Sequence, residues 1–200
     1  MKIMNKNGQT LFESLAFIRF RDLLEAAALA DADLTDADLG HQDLTFATLT
    51  GAQLVGANFT GADLEGANLE KARLNGACFR KANLKNAMLA EATLIWCDLS
   101  HANLNKADLS HALLQGSILR SASLQKADLS CANLYGAHLN NANLMWANLC
   151  GVELSGADLS ACELYGAYMD MQAVLRTNFR SVNLQNTLLT NTLLQLSLPV

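Results

Sequence analysis

Three residues with reactive side chains recur at intervals of twenty: Glu91, His111 and Cys131. A carboxylate can orient a histidine, and a histidine beside a cysteine can activate the thiol or share a zinc ion with it. The competing interpretation is three solvated side chains in one column of a repetitive surface. We favour it because a convex repetitive surface offers no pocket to hold a substrate. The sequence also contains no phosphate-binding loop, paired zinc-ligand spacing or nucleophile elbow. We therefore expect no enzyme, no cofactor and no metal, and keep this column as the alternative thiol or metal site.

The interval of twenty reflects a shorter period of five that runs through most of the chain. From Leu34 to Leu194 every fifth residue is apolar, and it is leucine in 28 of 33 pentapeptides. Alanine stands two residues before this centre in 23 repeats, and Asp or Asn stands directly before it in 17. Ten of the twelve glycines lie two residues after it. A period of five fits neither an α-helix nor the alternation of a flat strand.

A square coil of four pentapeptides accounts for this period. Each centre and the small residue two positions before it then point inward, and stacked coils pair their backbones at the ~4.8 Å strand spacing. The composition agrees with a folded chain, since 51% of the residues are hydrophobic and only one is proline. The expected core includes Leu34, Leu54, Phe59, Leu64, Phe79, Leu99, Leu129 and Leu149.

The recurring Ala-(Asp/Asn)-Leu-x-x motif resembles the pentapeptide-repeat family. Ala57-Asn58-Phe59-Thr60-Gly61 and Ala62-Asp63-Leu64-Glu65-Gly66 carry the resemblance, which covers more than four fifths of the chain. It implies an all-β solenoid, a right-handed quadrilateral β-helix, here of about eight coils at four repeats a coil. It also implies a protein that is often dimeric, often bacterial and abundant in cyanobacteria, with no single activity.

The ends of a solenoid expose core and unpaired backbone, so they need caps. Thr10 and Glu13 have the spacing of a capping box, and residues 10–28 lack Gly and Pro, which predicts a helix. The predicted organisation is a flexible N-terminus over 1–9, a capping helix and connection over 10–31, the solenoid over 32–196 and a tail over 197–200. Charged residues interrupt the apolar part of this helix, so we expect no signal peptide and a cytoplasmic protein.

The repeat pattern loosens toward the C-terminus. The last coil gains Leu188, Leu193, Leu196 and Leu198, and no clear cap follows it. An apolar terminal coil favours a homodimer through this end, with capping by the chain's own tail as the alternative.

The charges are unevenly distributed along the chain. Ten acidic residues and no Lys or Arg lie from Asp22 to Glu70, whereas residues 71–126 carry eight bases against three acids. The acidic third suits a basic partner surface, although the repeat consensus by itself supplies outward aspartates.

Some members of the family that the chain resembles imitate duplex DNA and bind type II topoisomerases. Modulation of a topoisomerase through the acidic N-terminal coils is therefore an alternative function. Against it, the stacked coils are expected to span ~40 Å at the strand spacing. Duplex DNA presents roughly 24 phosphates over that length, whereas the net charge of this chain is −5. We expect no direct binding of nucleic acid and no membrane span, since no run of ~20 apolar residues occurs.

Two groups of aromatic residues are predicted to face outward. One comprises Met145, Trp146, Tyr165 and Tyr168, and the other Trp96 and Tyr135. Exposed Trp, Tyr and Met are typical of partner surfaces, while tolerated surface apolarity is the alternative. The leading hypothesis is thus a non-enzymatic interaction rod with an unidentified protein partner.

Overall fold

The computed structural model describes residues 2–14, 19–170 and 188–190. Single parallel β-bridges join each pentapeptide to the one twenty residues later, from Asp33 with Gln53 to Asn143 with Glu163. At one face the bridges widen into three parallel strands, β3 (Asn148–Leu149), β4 (Tyr168–Asp170) and β5 (Leu188–Thr190). The solenoid is confirmed. The count of eight coils stays a prediction, because part of the repeat lies outside the described residues.

Each pentapeptide ends in the same tight turn. The N–H of the small residue donates to the carbonyl of the preceding centre, as from Ala37 to Leu34 at 3.0 Å. The residue two positions after the centre has a positive φ in every described repeat, from Asp36 to Gly166. A type II turn demands a positive φ at this position, which favours glycine and explains where the glycines lie.

The interior is a column of leucine centres alternating with alanines. All eight core residues predicted from the sequence are buried, and Phe59 stacks on Phe79 with ring centroids 4.7 Å apart. Cys97 and Cys162 replace alanine in this column, and each thiol donates to a core carbonyl, of Leu74 and Leu139 respectively. Burial raises the pKa of both thiols to about 12, so they remain protonated.

Where Asp or Asn precedes the centre, its side chain closes the adjoining turn. Its side-chain oxygen accepts the N–H two residues later, as Asp33 accepts from Thr35 at 3.0 Å. Where the residue is not Asp or Asn, a neighbouring coil can supply the acceptor. In one such repeat Thr93 precedes the centre, and the backbone N–H of Ile95, two residues later, donates to the side-chain oxygen of Asn75 in the preceding coil at 3.1 Å. The consensus Asp or Asn therefore satisfies a backbone N–H group of the turn, and the aspartates among them also add negative charge to the surface.

The N-terminal segment corrects one prediction from the sequence. Residues 10–13 are not helical, because Thr10–Glu13 forms strand β2. This strand pairs antiparallel with β1 (Lys2–Met4), which lies in the segment 1–9 that was predicted to be flexible. The capping-box interpretation of Thr10 and Glu13 was wrong, because Glu13 instead pairs with Lys2 at 2.9 Å across the hairpin. Residues 15–18 lie outside the described part.

The helix of this region is α1, Phe20–Leu29. It buries Leu23, Leu24 and Ala27 against the solenoid core. The first coil has no preceding coil to accept its N–H groups, and the N-terminal segment supplies substitutes. Asp38 N–H donates to the Met4 carbonyl at 2.7 Å, and Thr48 N–H donates to the Glu25 carboxylate at 2.7 Å. Hairpin and helix together thus cap the first coil.

No helix of the described part is long and apolar enough to cross a membrane. The predicted apolar dimer end falls largely outside the described residues, and it stays a prediction.

Candidate interaction surface

The reactive column does not assemble into a metal site. Glu91 pairs with Lys71 of the preceding coil at 3.8 Å. Cys131 leans toward the following coil, where its Sγ lies 3.1 Å from a Cβ built on Gly151. Within residues 2–14 and 19–170, no group of three or more His, Cys, Asp or Glu side chains could hold a metal ion. The described residues therefore lend no support to a metal site in this column, and a thiol site there stays an alternative.

The aromatic residues predicted to face outward do so. Trp96 is 73% exposed and Tyr135 is 60% exposed, while Trp146, Tyr165 and Tyr168 are each 44% exposed. Met145 is half-buried. Trp146 and Tyr165, which are less exposed than Trp96, contact each other.

Trp146 occupies the positive-φ position of its turn, with φ at 62°. From there the side chain points along the rod axis, and its indole lies where a Cβ would stand on Gly166, twenty residues later. The same relation holds for Trp96 with Gly116 and for Phe46 with Gly66. A glycine one coil ahead is thus what lets an aromatic ring extend over this corner of the solenoid.

Tyr165 fixes the Trp146 ring from the side. The two ring centroids are 5.3 Å apart and the planes meet at 82°, the edge-to-face arrangement that aromatic pairs prefer. The backbone holds the pair together as well, since Trp146 N–H donates to the Tyr165 carbonyl at 2.9 Å. We call Met145, Trp146, Tyr165 and Tyr168 the Trp146 patch.

A shallow depression of about 410 Å³ borders this patch, lined by Lys126, Ala127, Asp128, Trp146, Asn148 and Tyr168. Two of the lining side chains are joined, since the Asn148 side chain donates to Asp128 at 3.0 Å. Sequence reasoning missed Lys126, Asp128 and Asn148 as members of the surface. The signal was available, because Lys126 stands twenty residues before Trp146 and Tyr168 stands twenty after Asn148.

Two further exposed apolar residues were also missed. Phe46 is 72% exposed at a corner of the first described coil, and Leu29 at the end of α1 is 92% exposed. Neither has an aromatic neighbour comparable to Tyr165 among the ring contacts of the described residues.

The acidic N-terminal coils keep their charge. Hydrogen bonds from the Thr35 hydroxyl and N–H lower the pKa of Asp33, and the corresponding groups of Thr45 lower the pKa of Asp43. The pKa of Glu65 is lowered chiefly by its hydrogen bond from Lys85, at 2.9 Å. These carboxylates are therefore ionised at neutral pH.

The fold and the surface together define the class of protein: a repetitive solenoid with an aromatic patch on its convex outer wall. A family model described as pentapeptide repeats matches residues 24–61, 32–70, 67–105, 102–141 and 142–170, with eight copies. The chain belongs to the pentapeptide-repeat family. No curated protein shows a significant match.

Several solved structures are similar to the chain. HetL, a pentapeptide repeat protein involved in heterocyst differentiation regulation from the cyanobacterium Nostoc sp. strain PCC 7120, is 32% identical over 66% of this chain and 76% of its own, with a TM-score of 0.35. The Nostoc protein alr5209 is 37% identical over 54% of this chain and 84% of its own, with a TM-score of 0.40. QnrB1, a plasmid-mediated fluoroquinolone resistance protein, is 20% identical over 78% of this chain and 83% of its own, with a TM-score of 0.46. The family assignment rests on the repeat match alone.

Proposed function

We propose that this protein is a non-enzymatic interaction rod of the cytoplasm that binds a protein partner through the Trp146 patch. The observation that carries the proposal is the edge-to-face pair of Trp146 and Tyr165, exposed on the outer wall. Trp and Tyr are enriched among the residues that dominate binding energy at interfaces. All five cysteines are free thiols, which suits a reducing compartment.

Rigidity supports this choice of surface. The Trp146 ring is held by Tyr165 beside it and by Gly166 beyond it, so little conformational freedom remains to be lost on binding. The depression next to it adds Lys126 and Asp128 as polar groups that could orient a partner. An aromatic centre with a polar rim is the common anatomy of an interface.

The test is an affinity pull-down from an extract of the source cells, with the mass of the bait measured in solution. We expect a stoichiometric partner that Trp146→Asp releases, with affinity reduced by about 30-fold or more, as for a residue worth ~2 kcal/mol at an interface. The matched control is Trp96→Asp, a tryptophan at the same position of its repeat. Equal retention of the partner by the wild-type chain and by folded Trp146→Asp would exclude this patch.

A second candidate is modulation of a type II topoisomerase by the acidic N-terminal coils. The observation that favours it is the stretch from Asp22 to Glu70, which carries ten acids and no Lys or Arg. The lowered pKa values of Asp33, Asp43 and Glu65 keep charge on this end. A DNA-binding enzyme presents a basic surface that such an end could occupy.

A supercoiling assay with added protein tests this candidate. We expect Asp63→Asn with Glu70→Gln to weaken any effect, because both changes remove charge and keep shape. Asp158→Asn with Glu163→Gln is the matched control, with the same charge change outside the acidic stretch. Identical responses to the two double variants, or no response to the wild-type chain, would count against DNA mimicry.

A further inference from the structure

The five cysteines fall into three groups by position. Cys97 and Cys162 are buried in the core, and their thiols donate to carbonyls there. Cys78 lies half-buried on the outer wall, where its Sγ is 3.3 Å from the Thr60 hydroxyl. Cys131 and Cys150 remain: Cys131 is exposed and Cys150 is half-buried. The interaction surface uses neither of them.

Cys131 and Cys150 are neighbours across two adjacent coils. Cys131 N–H donates to the Cys150 carbonyl at 2.9 Å. Gly151 stands one coil beyond Cys131 in the same column and follows Cys150 directly in the chain. A coil spacing of ~4.8 Å combined with one residue step of 3.8 Å separates the two Cα atoms by about 6 Å. Disulfides span Cα distances of about 4.4–6.8 Å.

The side chain of Cys131 points toward the next coil. Its Sγ lies 3.1 Å from a Cβ built on Gly151, so the sulfur reaches into the coil that carries Cys150. Because residue 151 is glycine, no side chain stands between this sulfur and the neighbouring residue. We propose that Cys131 and Cys150 form a redox-sensitive dithiol, which hydroperoxides convert into a disulfide that cross-links the two adjacent coils.

The reaction balances with one hydroperoxide. The Cys131 thiolate attacks one peroxide oxygen of H₂O₂, the O–O bond breaks, and with one proton this gives sulfenic acid and water. The Cys150 thiolate then attacks the sulfenic sulfur, and its hydroxyl leaves, with a proton, as a second water. Two thiols are oxidised and one peroxide is reduced.

The chain contains its own control for proximity. Cys78 and Cys97 are also nineteen residues apart, as Cys131 and Cys150 are. Their side chains, however, lie on opposite sides of the wall, since the Cys97 thiol donates inward to Leu74 and Cys78 contacts Thr60 outside. Equal sequence separation with opposite orientation makes this pair unable to bridge without unfolding.

The experiment is oxidation of the full-length protein with dilute hydrogen peroxide, followed by thiol blocking in denaturant and peptide mapping. Trypsin is unsuitable, because no Lys or Arg lies between Lys126 and Arg176. Chymotrypsin cuts after Tyr135 and Trp146 and separates the two cysteines. We expect the thiol count to fall by two, with a Cys131–Cys150 link and no Cys78–Cys97 link. At micromolar protein the link should form at least about 100-fold faster than intermolecular disulfides, since neighbouring thiols have millimolar effective concentrations.

Variants separate the two steps. Cys150→Ser should leave Cys131 as a sulfenic acid that dimedone traps, and Cys131→Ser should abolish the link. Cys78→Ser should leave both rate and product unchanged. Oxidation of the wild-type chain that stops at sulfinic or sulfonic acid, or that yields only intermolecular disulfides, would overturn the proposal. A Cys78–Cys97 link formed at a comparable rate would also overturn it, because the bridge would then report unfolding.

Discussion

Trp96 and Trp146 occupy the same position in two repeats fifty residues apart, yet only one of them belongs to a cluster. Both have φ near 60°, and each ring lies over a glycine one coil ahead. Trp96 is 73% exposed, whereas Trp146 is 44% exposed and packs edge-to-face on Tyr165. The repeat therefore places both rings identically, and the difference comes from their neighbours.

Those neighbours stand at equivalent offsets. The residue nineteen positions after Trp146 is Tyr165, and the corresponding residue after Trp96 is Gln115. In both cases the backbone N–H of the tryptophan donates to the backbone carbonyl of that residue, so the two corners share the same backbone geometry. Gln115 offers no ring, and its side-chain oxygen is buried without a hydrogen-bond partner. One side chain of the next coil thus determines whether a corner tryptophan stands alone or forms a patch.

The largest expected effect comes from the glycine under the Trp146 ring. Gly166→Ala adds a Cβ at φ +70°, where the indole already lies, so left-handed strain and displacement of the ring act together. We expect a loss of about 2–4 kcal/mol in the free energy of unfolding. Urea unfolding followed by tryptophan fluorescence measures it, with a shift of the native emission toward that of a solvated indole.

Gly136→Ala is the matched control, since its φ is +65° and no atom lies within 4 Å of the added Cβ. It carries only the backbone cost, about 1–2 kcal/mol. Equal losses for Gly166→Ala and Gly136→Ala would show that the ring does not depend on the glycine beneath it.

These two glycines also show how far the sequence predicts the structure. The strict period of five predicts the coil, because only a square solenoid buries every leucine and alanine of the repeat. The glycine offset predicts the turn, and columns of twenty predict that Trp146 and Tyr165 come from adjacent coils. The column could not predict ring orientation, which depends on χ angles and on the open space above Gly166.

The N-terminal cap was harder to predict for a different reason. Residues 2–13 lie outside the repeat, and Thr10 and Glu13 match a capping box as well as they match a strand. What decides between them is pairing with Lys2–Met4 and the contact of Met4 with Asp38. Such contacts between segments distant in sequence leave no periodic signal in the chain.

A smaller effect is expected from removing the partner ring. Tyr165→Ala deletes the edge-to-face contact with Trp146, and aromatic pairs of this kind contribute about 0.5–1.5 kcal/mol beyond their buried area. A double-mutant cycle of Tyr165→Ala with Trp146→Ala measures the coupling by urea unfolding. The comparison cycle pairs Tyr135→Ala with Trp96→Ala, for which we expect no coupling because those two rings make no ring contact. Coupling of the same size in both cycles would remove the distinction between the two corners.

The smallest effect is expected from building the missing neighbour at the other corner. Gln115→Tyr places a ring at the offset that Tyr165 holds relative to Trp146, and it also removes the unpartnered Gln115 oxygen. We expect a gain of about 0.5–1 kcal/mol in the free energy of unfolding, with Trp96 emission shifting toward that of a shielded indole. Trp146→Phe leaves Trp96 as the sole tryptophan, so fluorescence in that background reads the new corner alone. Unchanged Trp96 emission together with unchanged stability would mean that a tyrosine at the offset of nineteen does not suffice to form the contact. The next difference between the two corners is Tyr168, whose counterpart beside Trp96 is Ile118.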